Sequence, residues 1–391
     1  MPKLILNTIV KNESHVILKM LESAIKISDA IVILDTGSTD GTQDMILDYG
    51  KKNNIPTYVF NRDFDNFENS RNFAMEKARE TVANELQWNP DDCFTWWCDA
   101  DETVIVDAEF SKSQFINDLY MINAFIGKMK YTRNTFARVS KPFRWYGPIH
   151  EFITTDDKTI TSGLAKHLHI NVEMTGASWK GNIPEKYKSH ASILEKYINE
   201  DRSDPRWIFY TAQSYHDSAS IPNNIEENHE RLRRSLKYYR ERVNRRDGYY
   251  EEIFYSQYKI GCIMKILEEP WNLTHQELLK AYSIDPIRGE SIKTIIDYYL
   301  QVGEFNLAYL YAKFAKVNFH GKIPHQRKLF IDESLYMWRF AELHSLSSFY
   351  TNRKDESKQS YMEILNLLQT NKEYFNEDDI KKIESNKQYF I

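Results

Sequence analysis

Over the first hundred residues, short apolar runs alternate with longer stretches whose apolar positions recur every three or four residues. Residues 4–10 (LILNTIV) predict a buried strand. Residues 15–27 predict a helix, with apolar side chains at 17, 18, 21 and 25. Residues 30–35 predict a second strand and 42–52 a second helix, ended by Asn53-Asn54. Residues 56–60, 69–84 and 93–98 continue as strand, helix and strand. Apolar runs separated by helices of this length are the signature of βαβ units and a parallel sheet. From about residue 119 to 170 the pattern turns strand-rich and aromatic, which predicts added antiparallel strands. After Gly181, glycine and proline become rare and Tyr-rich helical patterns run to the C-terminus, including long helices over 226–243 and 251–267.

Length and composition sharpen this division. The chain has 391 residues, enough for two or three domains, and the change in pattern predicts a first domain over 1–180 and a helical one over 181–391. Within the helical part, Ala281 is followed by Pro286, and Tyr299, Ala308 and Ala315 come after. The 34-residue step from Ala281 to Ala315 and the small residues at it resemble the tetratricopeptide repeat. The alternative is an ordinary helical bundle. The net charge of −5 is spread along the chain, so nucleic acid is not an expected partner. Three cysteines, Cys93, Cys98 and Cys262, fit neither a disulfide framework nor a paired zinc motif. No apolar run approaches the roughly 18 residues of a membrane span, and the first residues lack the apolar core of a signal peptide. A cytoplasmic protein is the expectation.

The candidate chemistry gathers where strands end. Asp99-Ala100-Asp101-Glu102 follows an apolar strand, and carboxylates at the C-terminal edge of a parallel sheet stand where α/β folds bind ligands. Oxygen ligands of this kind favour Mg²⁺ or Mn²⁺. Asp35 closes the second strand in Leu34-Asp35-Thr36-Gly37-Ser38-Thr39-Asp40-Gly41-Thr42. There it could meet a nucleobase edge, with Gly37 allowing the turn and Asp40 suited to capping the next helix. Arg71 opens the third helix in Ser70-Arg71-Asn72-Phe73-Ala74, where a cation gains nothing from the helix dipole. It therefore reads either as solvated or as a contact to a base or phosphate.

Together with Ile9-Val10-Lys11-Asn12-Glu13, these segments resemble, in order and spacing, family 2 of the glycosyltransferases over about the first 110 residues. The resemblance implies a GT-A fold, that is, a Rossmann-like α/β domain, followed here by an all-α, tetratricopeptide-like domain. It also implies a nucleotide-sugar donor, UDP by family preference, a divalent metal (Mn²⁺ or Mg²⁺), and inversion at the anomeric carbon. By position, Val10, Asn12, Glu13, Asp35, Arg71, Asp99 and Ala100 would surround the nucleotide sugar, and Asp101 would ligate the metal. Tyr146-Gly147-Pro148-Ile149-His150-Glu151 resembles a Gly-x-Ile-His-Glu segment of the subset carrying helical repeats. Glu151 is the expected base, with His150 beside it on diphosphate, metal or acceptor. Of His167 and His169, which share a strand face, His169 is the preferred further metal ligand. Gly176-Ala177-Ser178-Trp179, Pro184-Glu185-Lys186-Tyr187 and residues 206–215 extend the resemblance to about 300 residues. The family often has a basic residue after Gly-Ala, whereas here Ser178-Trp179 precede Lys180. The layout resembles bacterial enzymes that glycosylate a peptide, so a protein, peptide or glycan acceptor is expected, and self-association through the helices is a further expectation.

Three rivals remain at this level. Asp99-Ala100-Asp101-Glu102-Thr103 also fits the D-x-D-x-T signature of haloacid-dehalogenase-type phosphatases, but that motif normally follows the first strand of its domain. A sugar-phosphate nucleotidyltransferase would need a Gly-rich loop where this chain has Val10-Lys11-Asn12-Glu13-Ser14. The third rival is an inactive GT-A domain carrying a binding scaffold.

Overall fold

The computed structural model describes residues 1–127 and 129–390, which divide into two compact units, Met1–Leu194 and Glu195–Ile391. The first begins with β1 (Lys3–Val10), α1 (Ile17–Ala24), β2 (Ala30–Asp35), α2 (Thr42–Lys52), β3 (Thr57–Asn61), α3 (Phe67–Asn84) and β4 (Cys93–Trp96). It continues with β5 (Glu102–Val106), β6 (Leu119–Ile126), β7 (Met129–Arg138), β8 (Arg144–Tyr146), β9 (Phe152–Thr154) and β10 (Ser162–Val172). Eight strands form one mixed sheet in the order β3-β2-β1-β4-β7-β6-β10-β5, and β8 and β9 form a separate hairpin. β1 pairs in parallel with β2 and with β4, and β7 joins antiparallel to β4.

The alternation of side chains along the central strands decides what packs where. Leu4 and Leu6 of β1 and Ile31 and Ile33 of β2 face Ile17, Met20, Leu21 and Ile46 of α1 and α2. Ile5 and Val32 point to the other face, against Ala78 and Val82 of α3. Period-two alternation with apolar residues in both phases is what a strand buried on both sides requires.

The structure has the α/β fold class that the alternating pattern implies, with three differences of detail. β4 ends at Trp96 rather than Cys98, so Trp97, Cys98 and Asp99 leave the ladder. β5 was not expected from the acidic segment that starts it. The added strands are not all antiparallel, since β10 runs parallel to β6 and antiparallel to β5.

The second unit is helical. α4 (Ile183–Glu200) spans the division, and α5 (Pro205–Ser218), α6 (Ile225–Asn244), α7 (Tyr250–Ile266), α8 (Trp271–Ile284) and α9 (Glu290–Gln301) follow. α10 (Phe305–Phe319), α11 (Phe340–Tyr350), α12 (Lys354–Thr370) and α13 (Glu377–Phe390) complete it. Each helix from α5 to α13 packs on the next in sequence. Ala281, Ala308 and Ala315 are fully buried, where small residues let helices approach closely. Among the described residues, no helix is long and apolar enough to cross a membrane.

Candidate active site

β1 is flanked by β2 on one side and β4 on the other, and the chain reaches β4 only after β2 and β3. That reversal opens a crevice beyond the C-terminal ends of β1, β2 and β4, where open α/β sheets bind ligands. The segments following those ends carry Asn12 and Glu13, Asp35, and Asp99 to Asp101.

After β1, Asn12 adopts a left-handed backbone (φ 56°). Its N–H donates to Ser38 Oγ (2.8 Å) and its Oδ1 accepts from Thr39 N–H (2.8 Å), which joins the loops after β1 and β2. Asp40 ties the same loops from the other side, accepting from Thr42 N–H and from Ser14 N–H. Asp35 is fully buried. Its Oδ1 accepts from the N–H groups of Gly37 (2.8 Å) and Ser38 (2.7 Å), in a turn where Gly37 has φ 102°. Its Oδ2 is buried with no hydrogen-bond partner. A carboxylate oxygen left bare in the interior is costly, and this one needs a donor.

Arg71 lies on α3 and is 6% exposed. Its Nε donates to Glu151 Oε1 (2.6 Å) and its Nη2 to Asp99 Oδ1 (2.9 Å), while Nη1 is buried without a partner. The guanidinium lies over the rings of Trp97 (4.9 Å) and Trp145 (4.7 Å), which meet edge to face with their centroids 5.2 Å apart, a placement that adds cation–π attraction. Burial works against its charge, but Asp99 and Glu151 outweigh it and raise its pKa.

α3 also places the segment that carries Glu151. Asn72 exchanges two hydrogen bonds with the Trp145 backbone (2.9 and 2.8 Å), Glu68 accepts from Gly147 N–H, and Arg79 donates to the carbonyls of Lys141 and Phe143. The turn then passes through His150, which is exposed and left-handed (φ 56°), and delivers Glu151 to Arg71. A non-glycine residue held at positive φ is strained, and such strain collects at functional sites.

A second guanidinium braces the acidic loop. Arg133 on β7 makes two bonds to Glu102 (2.7 and 2.5 Å) and stacks 3.6 Å from the Trp97 ring centroid. Glu102 is buried, which raises its pKa against the pull of Arg133, and its Oε2 accepts from Asp99 N–H (2.9 Å). Asp99 keeps 40% of its side chain exposed. Desolvation pushes its carboxyl up, but Arg71 and Arg133 together bring it below the usual range. Ala100 and Val10 are buried beneath this rim.

Asp101 turns toward the segment after β10. Its Oδ2 accepts from Gly176 N–H (3.0 Å), and a side chain at 176 would meet the carboxylate at 3.1 Å. Both oxygens of Glu13 accept from Ala177 N–H (3.2 and 3.0 Å). His15 reaches Thr175 O, and Lys19 pairs with Glu173. Burial raises the Glu13 pKa against the Ala177 hydrogen bond, and Asp101 and Asp99 add to the rise, so three carboxylates share one field. Asp101 Oδ1 accepts no hydrogen bond among the described residues. That open oxygen suits a hard divalent cation.

The candidate residues thus fall into two groups. Asn12, Glu13, Asp35, Arg71, Asp99, Asp101 and Glu151 collect on the strand-end rim, linked by the bonds above. His169 does not join Asp101. β10 pairs Val172 with Glu102 and His169 with Ile105, so His169 stands roughly 13 Å along the ladder at about 3.3 Å per residue. Its ring packs on Phe125. His167 sits at an irregularity of β10 with φ 61° and is 3.9 Å from Glu109. Among the described residues, no three His, Cys, Asp or Glu side chains gather as a metal cage. Arg71 is neither solvated nor in the first turn, because α3 starts at Phe67. Trp97, Arg133 and Trp145 were not singled out by sequence, and Glu102 was named only as part of the acidic segment, without its role in holding Asp99. The available signal was a strand arginine and a strand tryptophan among buried neighbours, which alone names no partner.

Residues 8–110 match the model of Glycosyl transferase family 2. Two curated relatives are similar, each 21% identical over 248 residues covering 61% of this chain and 54% of theirs. They are the SPbeta prophage-derived glycosyltransferase SunS of Bacillus subtilis strain 168 and glycosyltransferase SunS of Bacillus phage SPbeta. The chain therefore spans about half the length of these relatives. Among solved structures, S. aureus TarS 1-349 in complex with UDP-GlcNAc aligns at 11% identity with a TM-score of 0.33, covering 72% of this chain and 89% of that one. A further S. aureus TarS structure aligns at 13% identity with a TM-score of 0.37, covering 72% and 54%.

Proposed function

We infer that this chain, which carries a family 2 glycosyltransferase domain over residues 8–110, transfers a sugar from a UDP-sugar to a protein, peptide or glycan acceptor, with inversion at the anomeric carbon. The observation that carries the donor assignment is Asp35. One oxygen is saturated by two backbone N–H groups and the other is buried and bare. An acceptor-only carboxylate in that state calls for an N–H donor, and the imide N–H of uracil is one. Asp99, half-exposed on the same rim, is placed for a ribose or sugar hydroxyl.

Glu151 is the proposed base. Arg71 engages Oε1 and fixes the carboxylate's orientation, leaving Oε2 to take the acceptor proton as the nucleophile attacks. The open Oδ1 of Asp101 would hold Mn²⁺ or Mg²⁺, which when bound supplies charge neutralisation at the departing diphosphate. Positioning and fixed charge account for most of the rate in such a site. In the second unit each helix packs on the next in sequence, the order found in helical repeat arrays, and such arrays take peptides, which supports a protein or peptide acceptor. The phosphatase reading is disfavoured because Asp99, its would-be nucleophile, follows the fourth strand rather than the first.

A thermal-shift and hydrolysis screen of nucleotide sugars with Mn²⁺ and Mg²⁺ tests this. A UDP-sugar should raise the melting temperature and slowly release sugar. Asp101→Ala should lose the metal dependence with the fold intact. If no nucleotide sugar stabilises the protein or is hydrolysed, the proposal fails.

A further inference from the structure

One cation near the rim lacks a carboxylate partner. Lys186 lies on α4, four residues into the helix. Its ammonium sits 3.7 Å from the Trp179 ring centroid and 5.9 Å from that of Tyr187, and Ser178 Oγ is 3.5 Å away. It makes no ion pair among the described residues. The ammonium is half-buried, and burial lowers its pKa even though the negative charge of Asp101 pulls the other way.

Two physical effects oppose a cation here. Burial strips its hydration, and the start of an 18-residue helix carries positive potential. One turn along, His190 has its Nδ1 buried without a partner. Burial and then Lys186 lower its pKa to about 4, so it adds no charge at neutral pH. The turn that carries Ser178 and Trp179 begins at Gly176, which is bonded to Asp101, and Ala177, which is bonded to Glu13. Lys186 is thereby fixed beside the carboxylates without being neutralised by them, as expected for a cation whose counterion arrives with the substrate.

We propose that Lys186 binds the diphosphate of the donor, its ammonium held on the Trp179 face near Asp101, which would hold the metal on that diphosphate. This rests on the donor reading above. In the transfer, the bond from the anomeric carbon to the phosphate oxygen breaks and its electron pair stays on the diphosphate. The acceptor heteroatom forms the new bond to that carbon, and its proton passes to Glu151. Lys186 stays protonated throughout and offsets the charge that accumulates on the leaving group.

Calorimetric affinities for uridine and for UDP, in EDTA and then with Mn²⁺, test the assignment in wild type, Lys186→Met and Lys186→Arg. Lys186→Met should lose at least tenfold in UDP affinity in EDTA, with uridine affinity and melting temperature unchanged, and Lys186→Arg should recover most of the loss. A UDP-to-uridine affinity ratio in Lys186→Met within twofold of wild type overturns the proposal. So does an equal loss for both ligands, which marks a structural role. If uridine and UDP both fail to bind the wild-type protein, the donor reading falls and this proposal with it.

Discussion

Buried arginines occur in both units, and Arg242 and Arg288 of the helical unit are partnered differently from Arg71 and Arg133 of the sheet unit. In the helical unit, Arg242 is fully buried. Its Nε bonds Glu252 (3.0 Å), and Nη1 and Nη2 reach the carbonyls of Arg245 and Tyr249. Arg288 is likewise buried and spends its three nitrogens on Glu290, Leu329 O and Phe330 O. At the sheet edge, Arg71 leaves Nη1 bare and Arg133 leaves Nε bare, and Asp35 across the rim leaves Oδ2 bare. A saturated arginine is a fastening between helices. A strand-end rim that holds both a buried donor and a buried carboxylate oxygen without partners suits completion by something other than the protein, because native interiors rarely leave such groups unpaired.

Substitutions on the two sides should therefore fail differently. Arg242→Met leaves Glu252 buried and unpaired, so denaturant unfolding should show a loss of about 3–5 kcal/mol with UDP affinity untouched. A loss below about 1 kcal/mol would erase the distinction between the two kinds of arginine. Glu151→Gln keeps an oxygen for Arg71, so UDP should bind as before while sugar transfer falls by about 10²–10⁴. Retained transfer would place the base elsewhere.

Acid sharpens the contrast within the helical unit. His344 is 6% exposed and bonded to Ser360. Burial, then Lys316 and Lys313, hold its pKa down to about 4 against the pull of Glu356. Because the unfolded chain takes up the proton first, the stabilisation is complete above about pH 6.5 and declines as pH falls toward 4. The decline amounts to about 2–3 kcal/mol, and His344→Gln should flatten that part of the stability–pH curve. Asp35→Asn should have the smallest effect, about tenfold in UDP affinity. The amide oxygen still accepts from Gly37 and Ser38, but an NH₂ then faces the ligand. Unchanged affinity would remove Asp35 from the nucleotide.

The parts legible in the sequence were those with local causes. Periodicity located β1 through β4 and α1 through α3 because β1, β2 and β4 bury both faces, the edge strand β3 is half-buried, and each helix buries one face. Even so, α3 begins two residues early, since Asn66 accepts from Asn69 N–H and caps it. The strand-end carboxylates were legible for the same reason: apolar runs stop where they begin. What could not be read were meetings across distance. The packing of Arg71 against the Trp97–Trp145 pair needs α3, the end of β4 and the β8 hairpin at once. The pairing of β10 with both β5 and β6 set His169 apart from Asp101, and no local pattern encodes that register.

The bonds from Glu13 to Ala177 span 164 residues of chain. During synthesis the loops after β1 and β4 therefore cannot be locked until the strand before Gly176 has emerged and docked, whereas the helices beyond it close against immediate neighbours. Contacts of such long reach are slow to form, so the pocket should be the last part of its unit to become protease-resistant, well after the surrounding sheet has collapsed.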